Sequence, residues 1–424
     1  MSTSASPASA AAQHRLIALV MCLFFAFGFC TVLVDTLVPK LKGLFSLSYT
    51  EVMLTQFCFF GAYLVVSIPA SAVVARIGYL QTVVIGLGLM ATGCLLFTPA
   101  AAAGVYPGFL GALFVLASGV TMVQVAANPL AVSAGDPAKA HSRLTLAQAF
   151  NSLATTVGPF FGAMLILSDQ APPDPARLTP AALAIARTAE AQAVKMPFQL
   201  IAAVVLVLAA VCWIVRRWSP PVTGTGPSAT TGVAHLYRRP RLMLGALSIF
   251  LYVGAEVSIG SALASFLMQP STLHLATRAA GTMVAYYWGL AMVGRFIGSY
   301  ALRVGNPALI LSAAACGAGL LATTAGVSAG TVAGYALIAV GFCNSIMFPT
   351  IFALATEGLS VEDEPKASGI ISASIFGGAV VPVLTGFVAD HASLAVALAV
   401  PVVCYVWIAV YGLLTRESAV VSPG

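Results

Sequence analysis

"RRWSPPVTGTGPSATTGVAHLYRRPR", residues 216–241, is the clearest break in this chain. It is rich in Pro, Gly, Ser and Thr and is flanked by arginines, the composition of a flexible connector rather than of a packed element. What lies on either side of it decides the fold. Before it come apolar stretches at about 16–38, 52–74, 79–100, 105–133, 144–168 and 197–216. After it they recur at about 243–268, 280–302, 307–328, 331–356, 367–389 and 392–415. A helix needs about 20 such residues to cross a hydrocarbon core ~30 Å thick. None of the stretches shows the alternation of a barrel strand, and helices satisfy their own backbone hydrogen bonds. The connector therefore divides six helical spans from six.

Composition requires a membrane around them. Of 424 residues, 60% are hydrophobic and 8% charged, and the mean hydropathy is +0.99. A soluble domain carries about 25% charged residues, so this chain cannot clothe a water-soluble globule. The first span is too long for a removable signal peptide, follows a Ser/Ala-rich tail rather than a basic one, and precedes no clear cleavage site. The net charge of +6 reports topology rather than nucleic acid. Arg76, Lys139, Arg143, Arg216, Arg217, Arg238, Arg239, Arg241, Arg303 and Lys366 fall on one side of the spans. Lys40, Lys42, Arg177, Arg187, Lys195 and Arg278 fall on the other. That bias predicts a multi-pass protein of the cell (inner) membrane with both termini cytoplasmic, although Lys40 and Lys42 run against it. A second long loop, about 169–196, lies outside, and its stretch "PAALAIARTAEAQA" suits a short surface helix. The eight cysteines all fall in spans and show neither CxxC nor a metal-ligand spacing, so they read as small packing residues and no metal is expected.

The two sets of spans echo each other at an offset of about 220. "ARIGY" (75–79) closes the second span and "LRVGN" (302–306) the eighth. Asn128-Pro129 in the fourth is matched by Phe348-Pro349 in the tenth, and "VGPFFGAMLILSD" in the fifth by "VVPVLTGFVAD" in the eleventh. A duplicated six-helix unit with a central linker resembles the parallel-repeat plan of the major facilitator superfamily, whose substrate site lies between the halves near the bilayer midplane. Under that repeat Asp35 of the first span corresponds to Glu256 of the seventh, 221 residues on; of thirteen acidic residues these two alone lie well inside spans. An ionisable group at bilayer depth costs at least about 2.5–3.5 kcal/mol and is a candidate functional site. The competing readings are a solvated position near the outer surface for Asp35, beside Lys40 and Lys42, and a hydrogen-bonded interhelical strut for Glu256.

Neutral amides cluster on helix faces. Gln56 lies in the second span, Gln124 and Asn128 are four apart in the fourth, Gln148 and Asn151 are three apart in the fifth, and Asn344 lies in the tenth. Amides both donate and accept, which is what a polyhydroxylated ligand requires. Hydrogen bonding between helices is the alternative use. Aromatic rings, among them Tyr63 in the second span and Tyr286, Tyr287 and Trp288 in the eighth, offer faces for the C–H surface of a sugar; each taken singly also reads as a lipid or packing contact. The glycines and prolines of spans four, five, ten and eleven permit bends or close contacts.

At "VDTLVPKLKGLFSLSYTEVMLTQFCFFGAYLVVSIPAS", "VQVAANPL", "SRLTLAQAFNSLATTVGP" and "FLYVGAEVSIGS" the chain resembles the fucose/glucose–galactose permease family of that superfamily. The resemblance covers nearly all the helical core and implies a sugar–cation symporter working by alternating access. It makes Asp35 the first-helix acid that handles substrate and cation, and puts Gln148 and Asn151 on the sugar cavity. Fucose-transporting members carry a second acid where this chain has Gln124, as in the glucose/galactose-type members. The family's Asn before the first-helix acid is Val34 here, its frequent Asn in the fifth helix is Thr145, and the Asp-Arg pair after the second helix is Ala75-Arg76. These departures point to fewer hydrogen bonds to substrate and a weakened charge latch.

The expectation is an all-α membrane protein of twelve transmembrane helices in the major facilitator fold, built as two pseudo-symmetric six-helix halves. Its parts are a tail (1–15), a bundle (16–216), a linker (217–242), a second bundle (243–415) and a tail (416–424). Asp35 is expected to couple a cation. Gln56, Tyr63, Gln124, Asn128, Gln148, Asn151, Glu256, Trp288 and Asn344 are expected to contact a hexose, and Arg76 and Arg303 to latch the conformations. Burial favours a neutralised carboxyl, so the co-transported ion is H+ or Na+, with the missing acid at Gln124 tipping the balance toward sodium near Asp35. The chain is expected to be monomeric, to need no cofactor and to be no enzyme. The rivals are an exporter of drugs or lipids, whose cavity would be apolar, and a membrane sugar sensor, which would carry a longer cytoplasmic tail.

Overall fold

A computed structural model describes residues 15–32, 49–103, 105–134, 140–166, 180–216, 233–360 and 362–416. Every span is helical. The first half runs α1 (Arg15–Val32), α2 (Tyr49–Ile77), α3 (Tyr79–Ala103), α4 (Tyr106–Ser133), α5 (Ala140–Ile166) and α6 (Pro180–Ile214). A short 3-10 turn (Val233–Arg238) ends the connector, and α7 (Pro240–Met268), α8 (Thr277–Val304) and α9 (Pro307–Val327) follow. The last three spans are interrupted. The tenth comprises α10 (Gly330–Asn344) and α11 (Met347–Thr356); the eleventh is α12 (Glu364–Ala373), a 3-10 turn (Ser374–Phe376) and α13 (Gly377–His391); the twelfth is α14 (Leu394–Ala397) and α15 (Ala399–Arg416). These make the twelve spans and two six-helix halves of the expected fold.

Local chemistry explains the joints. Gly78 alone separates α2 from α3 at φ +90°, a conformation that a side chain would resist. At the matching joint of the second half, Asn306 caps α9 by accepting from the amides of Ala308 and Leu309 at 2.9 and 3.3 Å, with Pro307 in the first turn. Pro240 likewise opens α7, so the linker gives way to helix slightly before residue 243. The stretch expected as a separate surface helix is instead continuous with α6, which passes through Pro197 without ending.

Ten of the twelve spans are long and apolar enough, among the described residues, to cross a bilayer by composition alone. The eighth is not among them, because Arg295 and a Tyr286-Tyr287-Trp288 run interrupt its apolar character. It is sheltered instead. α8 packs against α5 of the other half and against α10, while α12 packs against α2 and α4. These contacts join the halves at the end of the bundle where α1 begins and α15 ends. There the backbones approach closely: a Cβ on Gly369 of α12 would lie 2.8 Å from the Ser71 side chain and 3.0 Å from the Ser67 carbonyl of α2.

Candidate functional site

Polar side chains on α2, α4 and α5, with a backbone carbonyl of α1, form the first half's contribution. The Tyr63 hydroxyl of α2 donates to Oε1 of Gln124 on α4 at 2.9 Å, and both residues are buried. One turn further along α4, Asn128 is fully buried, and neither amide atom has a hydrogen-bond partner among the described residues. Asn151 of α5 donates through Nδ2 to the Phe24 carbonyl of α1 at 3.1 Å. That crossing needs Gly28, because a Cβ there would meet the Asn151 carbonyl at 2.8 Å and the Asn151 amide as well. Gln148, one turn before Asn151, is buried. Gln56 is half-buried on α2, seven residues before Tyr63 and therefore on the same helix face. Asp35 lies outside the described residues, as do Val34, Lys40 and Lys42.

The second half presents a connected network. On α7 the Tyr252 hydroxyl donates to Oε1 of Glu256 at 2.7 Å and also approaches the Asn344 carbonyl of α10 at 3.2 Å. The Tyr287 hydroxyl of α8 donates to the Glu256 backbone carbonyl at 3.3 Å and accepts from Nδ2 of Asn344 at 2.8 Å. Trp288 stands edge-on to Tyr287, with ring centroids 5.1 Å apart. Glu256 and Asn344, which the sequence offered as separate candidates, are thus joined through two tyrosines. Glu256 remains half-buried although it sits near the middle of its span. A carboxylate there can accept from a ligand hydroxyl while Tyr252 holds its other oxygen.

Two groups escaped sequence reasoning. Tyr252 had no pattern to single it out. Arg295 did carry a signal, since an arginine inside the stretch 280–302 is as unexpected at bilayer depth as an acid. It is 8% exposed and donates through Nε to the Ser345 carbonyl at 3.0 Å and through Nη1 to the Gln148 carbonyl at 3.3 Å. The second bond crosses between the halves. Arg76 and Arg303, the expected latch, are both exposed, at matching ends of α2 and α8.

Twelve spans in two packed halves, the first turning buried amides and a tyrosine inward and the second tyrosines, an amide and a carboxylate, fit a transporter rather than an enzyme. The chain belongs to the Major Facilitator Superfamily, whose family model matches residues 19–378. It is 48% identical over 399 residues to a glucose/galactose transporter of Brucella abortus, covering 93% of each chain. It is 30% identical over 420 residues to the L-fucose-proton symporter of Escherichia coli, covering 95% of this chain and 93% of that one. A crystal structure of the E. coli transporter FucP in the outward conformation superposes with a TM-score of 0.84 at 28% identity, covering 94% of this chain and 98% of that one. The fold is shared more distantly by a proton:xylose symporter, with a TM-score of 0.69 at 16% identity.

Proposed function

We propose that this transporter imports a hexose of the glucose/galactose type together with a cation neutralised at Asp35. The observation that carries this is the pairing of two polar layers, Tyr63–Gln124 in the first half and Glu256–Tyr252–Asn344–Tyr287 in the second. Each layer mixes donors with acceptors, as a ring of hydroxyls demands. An exporter of apolar compounds would have little use for either. The relatives support the same substrate class, since glucose/galactose and L-fucose transporters both align over nearly the whole chain.

In this reading Asp35 takes up the ion from the outer side, and the sugar bridges Gln56, Gln124, Gln148 and Asn151 to Glu256, Asn344 and Trp288. The halves then rock about the ligand. Asn128 belongs to the same surface, its unpartnered amide turned to substrate during part of the cycle. Arg76 and Arg303 latch the termini side, which is cytoplasmic, and the working unit is a monomer. The E. coli relative couples to protons. With Gln124 uncharged, the cation is assigned to Asp35.

The test is uptake of labelled glucose, galactose and fucose into proteoliposomes, with pH and sodium gradients imposed separately. Accumulation should follow one gradient alone and be saturable. Asp35→Asn should abolish gradient-driven accumulation while sugar exchange across the membrane persists. If this variant accumulates sugar as well as the parent does, coupling at Asp35 is wrong; if neither gradient drives uptake in the parent, the symport reading fails.

A further inference from the structure

Two side-chain bonds near the seam between the halves share an uncommon origin. In an α-helix each carbonyl accepts from the amide four residues on, and proline has no amide to give. Pro129 therefore leaves the Val125 carbonyl of α4 without its helical donor, and Pro349 leaves the Ser345 carbonyl of the tenth span in the same condition. Helical bonding resumes directly afterwards, with Thr350 N–H donating to the Ile346 carbonyl at 3.1 Å. Both freed carbonyls are captured by side chains. Ser368 of α12 donates to Val125 O at 3.1 Å across the two halves. Arg295 donates through Nε to Ser345 O at 3.0 Å, and its Nη1 reaches over to Gln148 O of α5 at 3.3 Å.

The surroundings fit a built contact. Arg295 lies nine residues from the end of α8, ~14 Å deep at 1.5 Å per residue. A cation there persists only where acceptors compensate it. Gly294 and Gly298 flank it and bring α8 close to the helix break: a Cβ on Gly294 would lie 2.7 Å from the Phe342 carbonyl, and one on Gly298 would strike Ile346. The guanidinium is a planar fork that holds two carbonyls at once, which a lysine ammonium does not do with the same geometry. Pro129 and Pro349 occupy equivalent places in the repeat, so each half offers one freed carbonyl, captured across the halves by Ser368 and within the second half by Arg295, whose other arm makes the crossing.

We propose that Arg295 is a positioning residue of the transport cycle, a clamp anchored on the carbonyl that Pro349 frees, which holds α5 and closes the termini side of the bundle. Ser368 on the carbonyl freed by Pro129 is the second point of the same seal. The inference rests on alternating access between the halves and is independent of which sugar is carried.

Ser372, fully buried one turn along α12 from Ser368, reports the seal. A thiol introduced by Ser372→Cys would be exposed to a membrane-impermeant maleimide in inside-out vesicles, with labelling read at that position by peptide mass mapping so that the native cysteines do not interfere. Arg295→Gln should accelerate labelling ~10-fold, within the usual range of conformational coupling. Arg295→Lys should do nearly as much. Pro349→Ala restores an amide that competes for Ser345 O, so it should accelerate labelling too, and the double variant should exceed neither single one. Unchanged labelling in folded Arg295→Gln overturns the clamp, and additive effects of Arg295→Gln and Pro349→Ala overturn its anchoring. Should Arg295→Gln fail to accumulate, Arg295→Lys and Pro349→Ala decide, and parental labelling in both sinks the proposal. No sugar is present in this measurement, so its failure is distinct from a failure of the uptake assay.

Discussion

At the scale of single residues, the Tyr63–Gln124 bond lends itself to measurement. Tyr63→Phe keeps the ring and strips the donor, leaving Oε1 of a buried glutamine without its partner. An orphaned buried acceptor costs about 1–3 kcal/mol, so the thermal unfolding midpoint of the purified protein should fall. Adding Gln124→Leu should recover part of the loss, because removing both partners is less costly than removing one. Recovery would be absent if Tyr63 served only as bulk. The residue scale is also where the sequence spoke unevenly. Glu256 and Asn344 were visible as polar residues in oily surroundings. Their joining by Tyr252 and Tyr287 was not, because it depends on which faces of α7, α8 and α10 meet. Arg295 could be seen as a charge at bilayer depth, but its partners could not, because backbone carbonyls leave no trace in side-chain patterning.

Among the elements, the existence and order of the spans were legible, since a bilayer imposes a similar length on every apolar helix. Their ends were less so, α6 beginning at Pro180 rather than near residue 197. The interruptions of the tenth and eleventh spans were also less legible. Pro349 announces a disturbance, but the break falls at Ser345 and Ile346, four and three residues earlier, where its missing amide is felt. The 3-10 turn at Ser374–Phe376 precedes Gly377, whose absent Cβ lets the chain pass against the backbone of Phe250 in α7. A tighter test of element packing is Gly369→Leu. The Ser67 carbonyl would be 3.0 Å from the new Cβ and belongs to the backbone of α2, so it cannot move aside cheaply. This variant should remain folded by thermal melting yet bind external sugar less well, because the termini side no longer shuts. External affinity equal to the parent's would show that the α2–α12 contact is not needed for the outward state.

For the whole molecule, the buried apolar side chains of the two halves form one continuous cluster, yet among the described residues the halves meet chiefly through α2, α4 and α5 on one side and α8, α11, α12 and α13 on the other. A chain cut between residues 217 and 232 should therefore reassemble when both parts are made together. The expected result is sugar uptake from the co-expressed halves and none from either alone; no uptake from the pair would mean that the connector does more than join them. The duplication, the halves and the connector could all be read from the order of apolar and turn-rich stretches. How the halves lie against one another could not, because it is settled by glycines and freed carbonyls whose effect is felt only across an interface.

The unusual make-up of α8 has a consequence during biosynthesis. A helix leaving the ribosome meets the translocon before its later neighbours exist, and a central arginine opposes entry into lipid by about 2.5–3.5 kcal/mol. Placed alone in a host protein, this segment should partition poorly, and Arg295→Leu should make it insert efficiently, as a glycosylation-site reporter would reveal. In the native chain it must be retained by helices already laid down, so the charge that serves the finished carrier is carried through assembly on credit from α5 and α7.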